Sequence, residues 1–309
     1  MERLTGIEER RIAAFRRAVG AMTPKPVRPG NELVELKSFV YRGHRLSYEV
    51  HGKGDRLLVY LHGLLLDANL NRPIAQALAE KGNRVVLLDL LGHGLSDKPA
   101  HASEYRMDLY VDQVIALLDH IGAEEAVLGG LSLGANVSLL AAVRDPERVR
   151  GLVLEMPVLE RAAPSVALTF VPFLLGVHYA RLPASWIAGL MRRAPRTRFA
   201  PLNSVLNAAS LRPEEMAAVL HGILLGPVAP TWEQRRALSV PTIVIGHGAD
   251  FIHPFSDAAS LVHQVPNARL VRARSILELR LRPARLMAEI ANLLDVAWGE
   301  GDASESMTA

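Results

Sequence analysis

EEAVLGGLSLGANVSLLAAVRD, residues 124–145, decides how this chain folds. It opens with a short apolar run, Ala126-Val127-Leu128, stopped by two glycines, as a buried parallel strand requires. It closes on a helical pattern. Between them lies Gly130-Leu131-Ser132-Leu133-Gly134. A turn this sharp from strand to helix strains the central residue and leaves no room for side chains beside it. Glycines two before and two after the serine meet that need, and the Ser132 hydroxyl is lifted above the sheet edge. The field at the helix N-terminus favours a developing oxyanion. The plainer reading is a glycine-rich helix start with Ser132 as its N-cap, but the strand–turn–helix context favours a nucleophile elbow.

Strands and helices alternate on both sides of this stretch. VELKSFVY and RLSYEVHG read as an opening hairpin of half-polar strands. RLLVYLHG (56–63), NRVVLLDLLG (83–92), VRGLVLEMPV (149–158), PTIVIGHG (241–248) and ARLVRA are further strands, separated by helical segments. Residues 159–234 break the alternation with helical, proline-punctuated segments. The pattern predicts an α/β fold, a mostly parallel eight-stranded sheet with helices on both faces. A helical cap enters after the sixth strand. The expected organisation is a basic amphipathic arm over 1–34, a core made of 35–158 and 235–296, the cap over 159–234, and a disordered polar tail over 297–309.

Composition narrows the function. The 309 residues are half hydrophobic and hold no cysteine, which excludes a disulfide framework, a thiol nucleophile and thiolate metal sites. A reducing, cytoplasmic location is the natural expectation. The charged N-terminus lacks the apolar core of a signal peptide. The longest apolar run, SVALTFVPFLLGV (165–177), is too short to span a bilayer, which needs about 20 residues. Residues 1–31 carry seven Lys/Arg against three Glu, so the net charge of +3 belongs to the arm. There Ile12, Phe15, Val19 and Met22 form a helical stripe that fits packing on the domain, a partner subunit in a homo-oligomer, or peripheral contact with anionic lipid. No basic-aromatic interleaving points to nucleic acid. No metal cluster, dinucleotide loop or phosphate loop calls for a cofactor.

Two more motifs join the elbow. One strand ends in His62-Gly63-Leu64 and the next in Asp89-Leu90-Leu91-Gly92-His93-Gly94-Leu95-Ser96-Asp97. Together the three resemble the α/β-hydrolase superfamily, in its capped esterase, haloperoxidase and C–C hydrolase branch, over roughly residues 36–295. The resemblance implies that the N–H groups of Leu64 and Leu133 form an oxyanion hole. It also implies that His62, Gly63, His93, Gly130 and Gly134 are structural. A serine at the elbow, where epoxide hydrolases and haloalkane dehalogenases carry aspartate, implies acyl-type chemistry. Asp250, followed four residues later by Pro254, resembles the family's acid loop. Glu155, ending the sixth strand, stands where some capped members place their acid instead.

The family pattern then asks for a histidine seven residues before Pro283, and Ile276 stands there. No histidine follows His263. Three accounts stand: His253 replaces the missing base, with Glu155 or Asp250 orienting it; Glu278 or a water network acts slowly; or the site binds without turnover. Asp250, three residues away on the same loop, looks too close to align His253, which favours Glu155. Alternation of Glu278, Arg280 and Arg282 with Leu277, Leu279 and Leu281 suggests a strand-like segment burying a Glu–Arg pair. In the cap, Val166, Leu168, Phe170, Val171, Phe173 and Leu174 are expected to face the water-excluded pocket. Phe170, Phe173 and, on the acid loop, Phe251 are the substrate contacts. Arg181, Arg192, Arg193, Arg196 and Arg198 follow as a basic side. The expected function is a serine hydrolase of an apolar ester or thioester with a non-standard base. The alternatives are a silent member binding an apolar ligand, and a cofactor-free C–C hydrolase or lyase.

Overall fold

The structure, a computed structural model, describes residues 34–248 and 250–299. The arm over 1–33 and the tail from 300 onward lie outside the described residues. Eight strands form one sheet in the order β1-β2-β4-β3-β5-β6-β7-β8. They are β1 (Val34–Tyr41), β2 (His44–His51), β3 (Leu57–Leu61), β4 (Arg84–Asp89), β5 (Ala126–Leu131), β6 (Val149–Glu155), β7 (Thr242–His247) and β8 (Ala268–Ala273). β1 and β2 form the antiparallel hairpin, β2 joins β4 antiparallel, and the remaining pairs are parallel.

Every residue of β3 is buried, as are nearly all those of β4, β5, β6 and β7. That explains their unbroken apolar runs: a central parallel strand is covered on both faces. The covers are α1 (Arg72–Ala79), α2 (Met107–His120), α3 (Leu133–Arg144), and later α9 (Phe255–Gln264) and α11 (Ala284–Ala297). They divide the core in two. On one side Val59, Leu61, Leu128 and Leu154 pack with Tyr110, Val114 and Val137; on the other Leu58, Tyr60, Val127 and Val153 pack with Ile74, Leu78 and Ile290. Successive strand residues thus feed opposite layers.

Between β6 and β7 the chain leaves the sheet as α4 (Ala163–Tyr179), α5 (Arg181–Arg193), α6 (Ala200–Ala208), α7 (Pro213–Ile223) and the short α8 (Trp232–Arg236). Asp257 on α9 holds this excursion at its root, accepting from the N–H groups of Leu159, Arg161 and Ala162 at 2.9, 3.2 and 2.9 Å.

Two expectations are corrected here. Residues 278–281 form the short helix α10 and no strand, with Glu278, Leu279 and Arg280 buried and Leu277 and Leu281 exposed. A helical turn groups neighbours that a strand would split between faces. The tail begins later than expected: Ala297 still belongs to α11, and the Arg150 guanidinium lies 4.6 Å above the Trp298 ring.

A Cβ on Gly134 would sit 2.7 Å from both the Cβ and the carbonyl oxygen of Leu61. One on Gly176, inside α4, would meet nothing. Gly134→Ala should therefore destabilise the protein by about 1–3 kcal/mol through overpacking. Gly176→Ala should stabilise it by up to about 1 kcal/mol through helix propensity. Urea denaturation of both variants checks the contrast.

Candidate active site

The carboxyl ends of β3, β5, β6 and β7 meet at one edge, where open parallel sheets hold their sites. Ser132 stands between β5 and α3 with φ 53° and ψ −108°, a conformation that costs a non-glycine residue strain. Its N–H donates to the Glu155 carbonyl at 2.8 Å, and its own carbonyl accepts from the Asn136 N–H at 3.0 Å. A Cβ on Gly130 would lie 2.6 Å from the Leu61 carbonyl oxygen, so β3 passes directly against the turn. Leu133 is the first residue of α3, and its N–H has no acceptor inside the helix. Beyond β3, Leu66 N–H closes a turn onto the Gly63 carbonyl at 3.1 Å, with Leu65 in a left-handed conformation at φ 63°. Leu64 and Leu65 lie where the main core meets the cap.

His253 comes to Ser132 from the loop after β7. Its Nε2 lies 2.8 Å from Ser132 Oγ and its Nδ1 2.8 Å from Asp250 Oδ2. Nδ1 facing a carboxylate keeps its proton, which leaves Nε2 to accept from the serine hydroxyl. The other oxygen, Asp250 Oδ1, accepts from the N–H of Ile252 at 2.8 Å and of His253 at 3.1 Å. That curl brings two side chains three residues apart face to face. Burial pushes the Asp250 carboxyl up, but the His253 imidazole and these two N–H groups outweigh it and hold it below its ordinary value. The expectation that Asp250 sits too close to align His253 is therefore wrong.

Glu155 is engaged elsewhere. Its carboxylate pairs with Arg280 and accepts from the Tyr60 hydroxyl at 2.9 Å, all three fully buried. Arg280 also donates to Asn71 Oδ1 at 2.9 Å, and Asn71 to the Leu61 carbonyl at 3.2 Å. Glu155 thus does not orient His253. Glu278 is likewise occupied, by the Arg285 guanidinium and the Arg274 N–H, so the expected Glu–Arg pair is two pairs. Ile276 is 47% exposed. His263 is exposed on α9. The Arg280–Glu155 pair was the feature missed in the sequence. Its only signal was an arginine flanked by leucines.

His62 accepts from the Leu90 N–H at Nε2, 3.1 Å, and sits 2.9 Å from the Gly63 carbonyl at Nδ1. His93 contacts the Leu91 carbonyl at 2.9 Å and lies 4.7 Å from the His62 ring. Both rings tie loops together. Burial pushes both imidazoles below their ordinary range, His93 further because His62 is beside it. Among the described residues, no group of three His, Asp or Glu side chains is arranged to hold a metal. A surface cavity of about 580 Å³ opens beside Lys53, Arg84 and Trp298, and none of the residues above lines it.

The helical excursion between β6 and β7 reaches the site through α4. Phe170, Leu174 and Val177 pack with Leu64, Leu65, Met216 and Leu220. Ser165 Oγ donates to the Ile252 carbonyl at 3.3 Å. From α6, Ser204 accepts from the Asp67 N–H at 2.9 Å and Asn207 donates to its carboxylate at 2.6 Å. Leu168, Val171 and Phe173 are exposed, against the expectation that they face the pocket. A helix apolar all round can bury only one side here. Phe251 is exposed next to Asp250.

The alpha/beta hydrolase fold family matches residues 56–249. The 2-hydroxymuconate semialdehyde hydrolase of Pseudomonas sp. (strain CF600) is 37% identical over 105 residues, 34% of this chain and 34% of that protein. The chain thus spans about a third of that relative's length. The enzyme of the same name from Pseudomonas putida is 31% identical over 203 residues, 60% of this chain and 67% of that one. Among solved structures, the enol-lactonase from Burkholderia xenovorans LB400 superposes with a TM-score of 0.66 at 20% identity, over 84% of this chain and 99% of that one.

Two outcomes follow. Arg280→Met strands the buried Glu155 carboxylate and should cost about 3–5 kcal/mol, whereas Glu155→Leu combined with Arg280→Met should recover part of that. Denaturant titration separates the two. The folded chain takes protons at His62 and His93 less readily than the unfolded one. Their stability contribution is thus present above the unfolded histidine value, about 6.5, and lost as pH falls below it. His93→Phe should flatten part of the acid slope in urea midpoints measured from pH 8 to 5.

Proposed function

We propose that this chain, which belongs to the alpha/beta hydrolase fold family, is a serine hydrolase cleaving an ester or thioester of an apolar acyl group. The observation that carries this reading is the relay from Ser132 Oγ through His253 to Asp250, each step 2.8 Å. Ser132 Oγ attacks the acyl carbon while its proton passes to His253 Nε2. The oxyanion is met by the N–H groups of Leu64 and Leu133, donors already fixed by a turn and a helix start. The intermediate expels its alkoxide or thiolate, which takes the proton back from His253. Water then attacks acyl-Ser132 with His253 again as base, releasing the acid and restoring the serine. Asp250 holds the imidazole in the required tautomer and stabilises the imidazolium without taking its proton. Phe170, packed beside Leu64, is assigned to the acyl side of the pocket.

Cofactor-free C–C bond hydrolysis is the second reading, favoured by the Pseudomonas putida relative, whose name is that of a semialdehyde hydrolase. Assay with aryl esters of graded chain length, beside a vinylogous 1,5-diketone, ranks the two.

A fluorophosphonate probe should label the native protein and leave Ser132→Ala unlabelled. His253→Ala should slow ester hydrolysis about 10²–10⁴-fold with an unchanged circular dichroism spectrum. Because Asp250 is held below its ordinary value, it stays ionised as pH falls. Asp250 protonation should therefore not set the acid limb of the wild-type rate. An active, unimpaired His253→Ala overturns the assignment.

A further inference from the structure

The cap carries an apolar surface that the catalytic reading leaves unused. On α4 the inner stripe, Phe170, Leu174 and Val177, packs against α7 and the Leu64 turn. The remaining side is apolar too: Leu168, Val171, Leu175 and Tyr179 are spaced three or four apart and all exposed. On α5 the stripe resumes with Leu182 at 86% exposure, Trp186 at 72%, Ile187 and Leu190, and only Ala188 of that helix is buried. Leucine and tryptophan in such numbers on adjoining helices mark a surface that another phase or molecule covers.

Charge says which. From Arg161 to Pro213 there is no aspartate or glutamate, and seven arginines lie in that interval. Arg161, Arg181, Arg193, Arg198 and Arg212 are exposed. A second copy docking through this face would set two arginine-rich helix pairs, neither with a carboxylate of its own, against each other. The chain's own residues 1–31, with net charge +4, would do the same. An apolar stripe with Trp and Leu, edged by arginines, is the composition of a helix lying in the interface of an anionic bilayer. The geometry agrees. Among the described residues no single helix is long and apolar enough to cross a membrane, and α4 and α5 meet at 98°. Such a bend suits two helices seated in the interface more than one span.

We propose that the outer face of α4 and α5 seats the protein on anionic lipid, with Leu182 and Trp186 entering the headgroup boundary and Arg181 and Arg193 meeting lipid phosphates. The face lies directly outside the α4 side chains that pack on the Leu64 turn, so the docked surface and the candidate active site share one helix.

The test uses the full chain and sedimentation with vesicles of three parts phosphatidylcholine to one part phosphatidylglycerol. Wild type should pellet with these vesicles, remain in solution with phosphatidylcholine alone, and be released by salt. Tryptophan emission should shift to the blue on binding, and Trp186→Phe should bind while losing most of the shift. Leu182→Glu with Trp186→Glu should lower the bound fraction at least about tenfold, as a charged face no longer enters the boundary. Arg181→Glu with Arg193→Glu should do likewise. All these positions are exposed, so melting curves should match wild type. Three results overturn the proposal. The first is a wild type indifferent to both vesicles. The second is a Leu182→Glu, Trp186→Glu protein that binds as wild type does, which places the contact elsewhere, as on the basic N-terminal arm. The third is a vesicle-indifferent dimer broken by that pair, which makes the face an interface between copies.

Discussion

The hydrogen bond from the Ser132 N–H to the Glu155 carbonyl, 2.8 Å long, joins the turn after β5 to the end of β6 and holds a serine at φ 53°. A strained residue persists only where its surroundings leave no alternative. Here Leu61 presses from β3 on Gly130 and Gly134, and α3 begins at the next residue. The residue that follows β6, Met156, is itself at φ 51° and donates to the Ile245 carbonyl. The serine's position, the exit into the cap and the register of β7 are thus fixed within a few residues. Moving any one of them disturbs the others.

Much of this was written locally. Runs such as LLVYL and the paired glycines around Ser132 act through neighbours in sequence, so strands and elbow could be read before any contact was known. The Asp250 carboxylate was legible for the same reason. That His253 reaches Ser132 was legible only as one of three accounts, because the distance spans 121 residues. The alignment of His253 by Asp250 was misjudged, since spacing along a chain says nothing of a side chain folding back on its own backbone N–H groups. In 277–282 a period of two suggested a strand. Six residues cannot separate that period from a short helical turn, and the buried partner of Arg280, Glu155, lies 125 residues away. The faces of α4 were equally mute: a helix apolar on every side announces burial without saying what covers it.

The segment around Ile276, where the sequence pattern asks for a histidine, makes structural pairs. Arg280 reaches under the sheet edge to Glu155, Tyr60 and Asn71, and burial with the Glu155 charge beside it pushes the Tyr60 phenol well above its ordinary value. Glu278 gathers Arg274 and Arg285 around the same short helix. Arg280 and Glu155 form a buried ionic pair, and removing either partner would leave unpaired charge.

Asp250 and His253 ride on one short loop, tied to each other by a side-chain hydrogen bond and by the His253 N–H, with the Ile252 N–H donating to the same carboxylate. In the proposed relay, proton acceptor and orienting carboxylate are therefore a single unit carried by the loop after β7. Displacing that loop lengthens the contact to Ser132 and the one from Ser165 to the Ile252 carbonyl, while the imidazole stays aligned on its carboxylate. A site with acid and base on separate elements has two independent distances that can fail. The proposed relay has a single coordinate, along which the imidazole arrives already oriented or does not arrive.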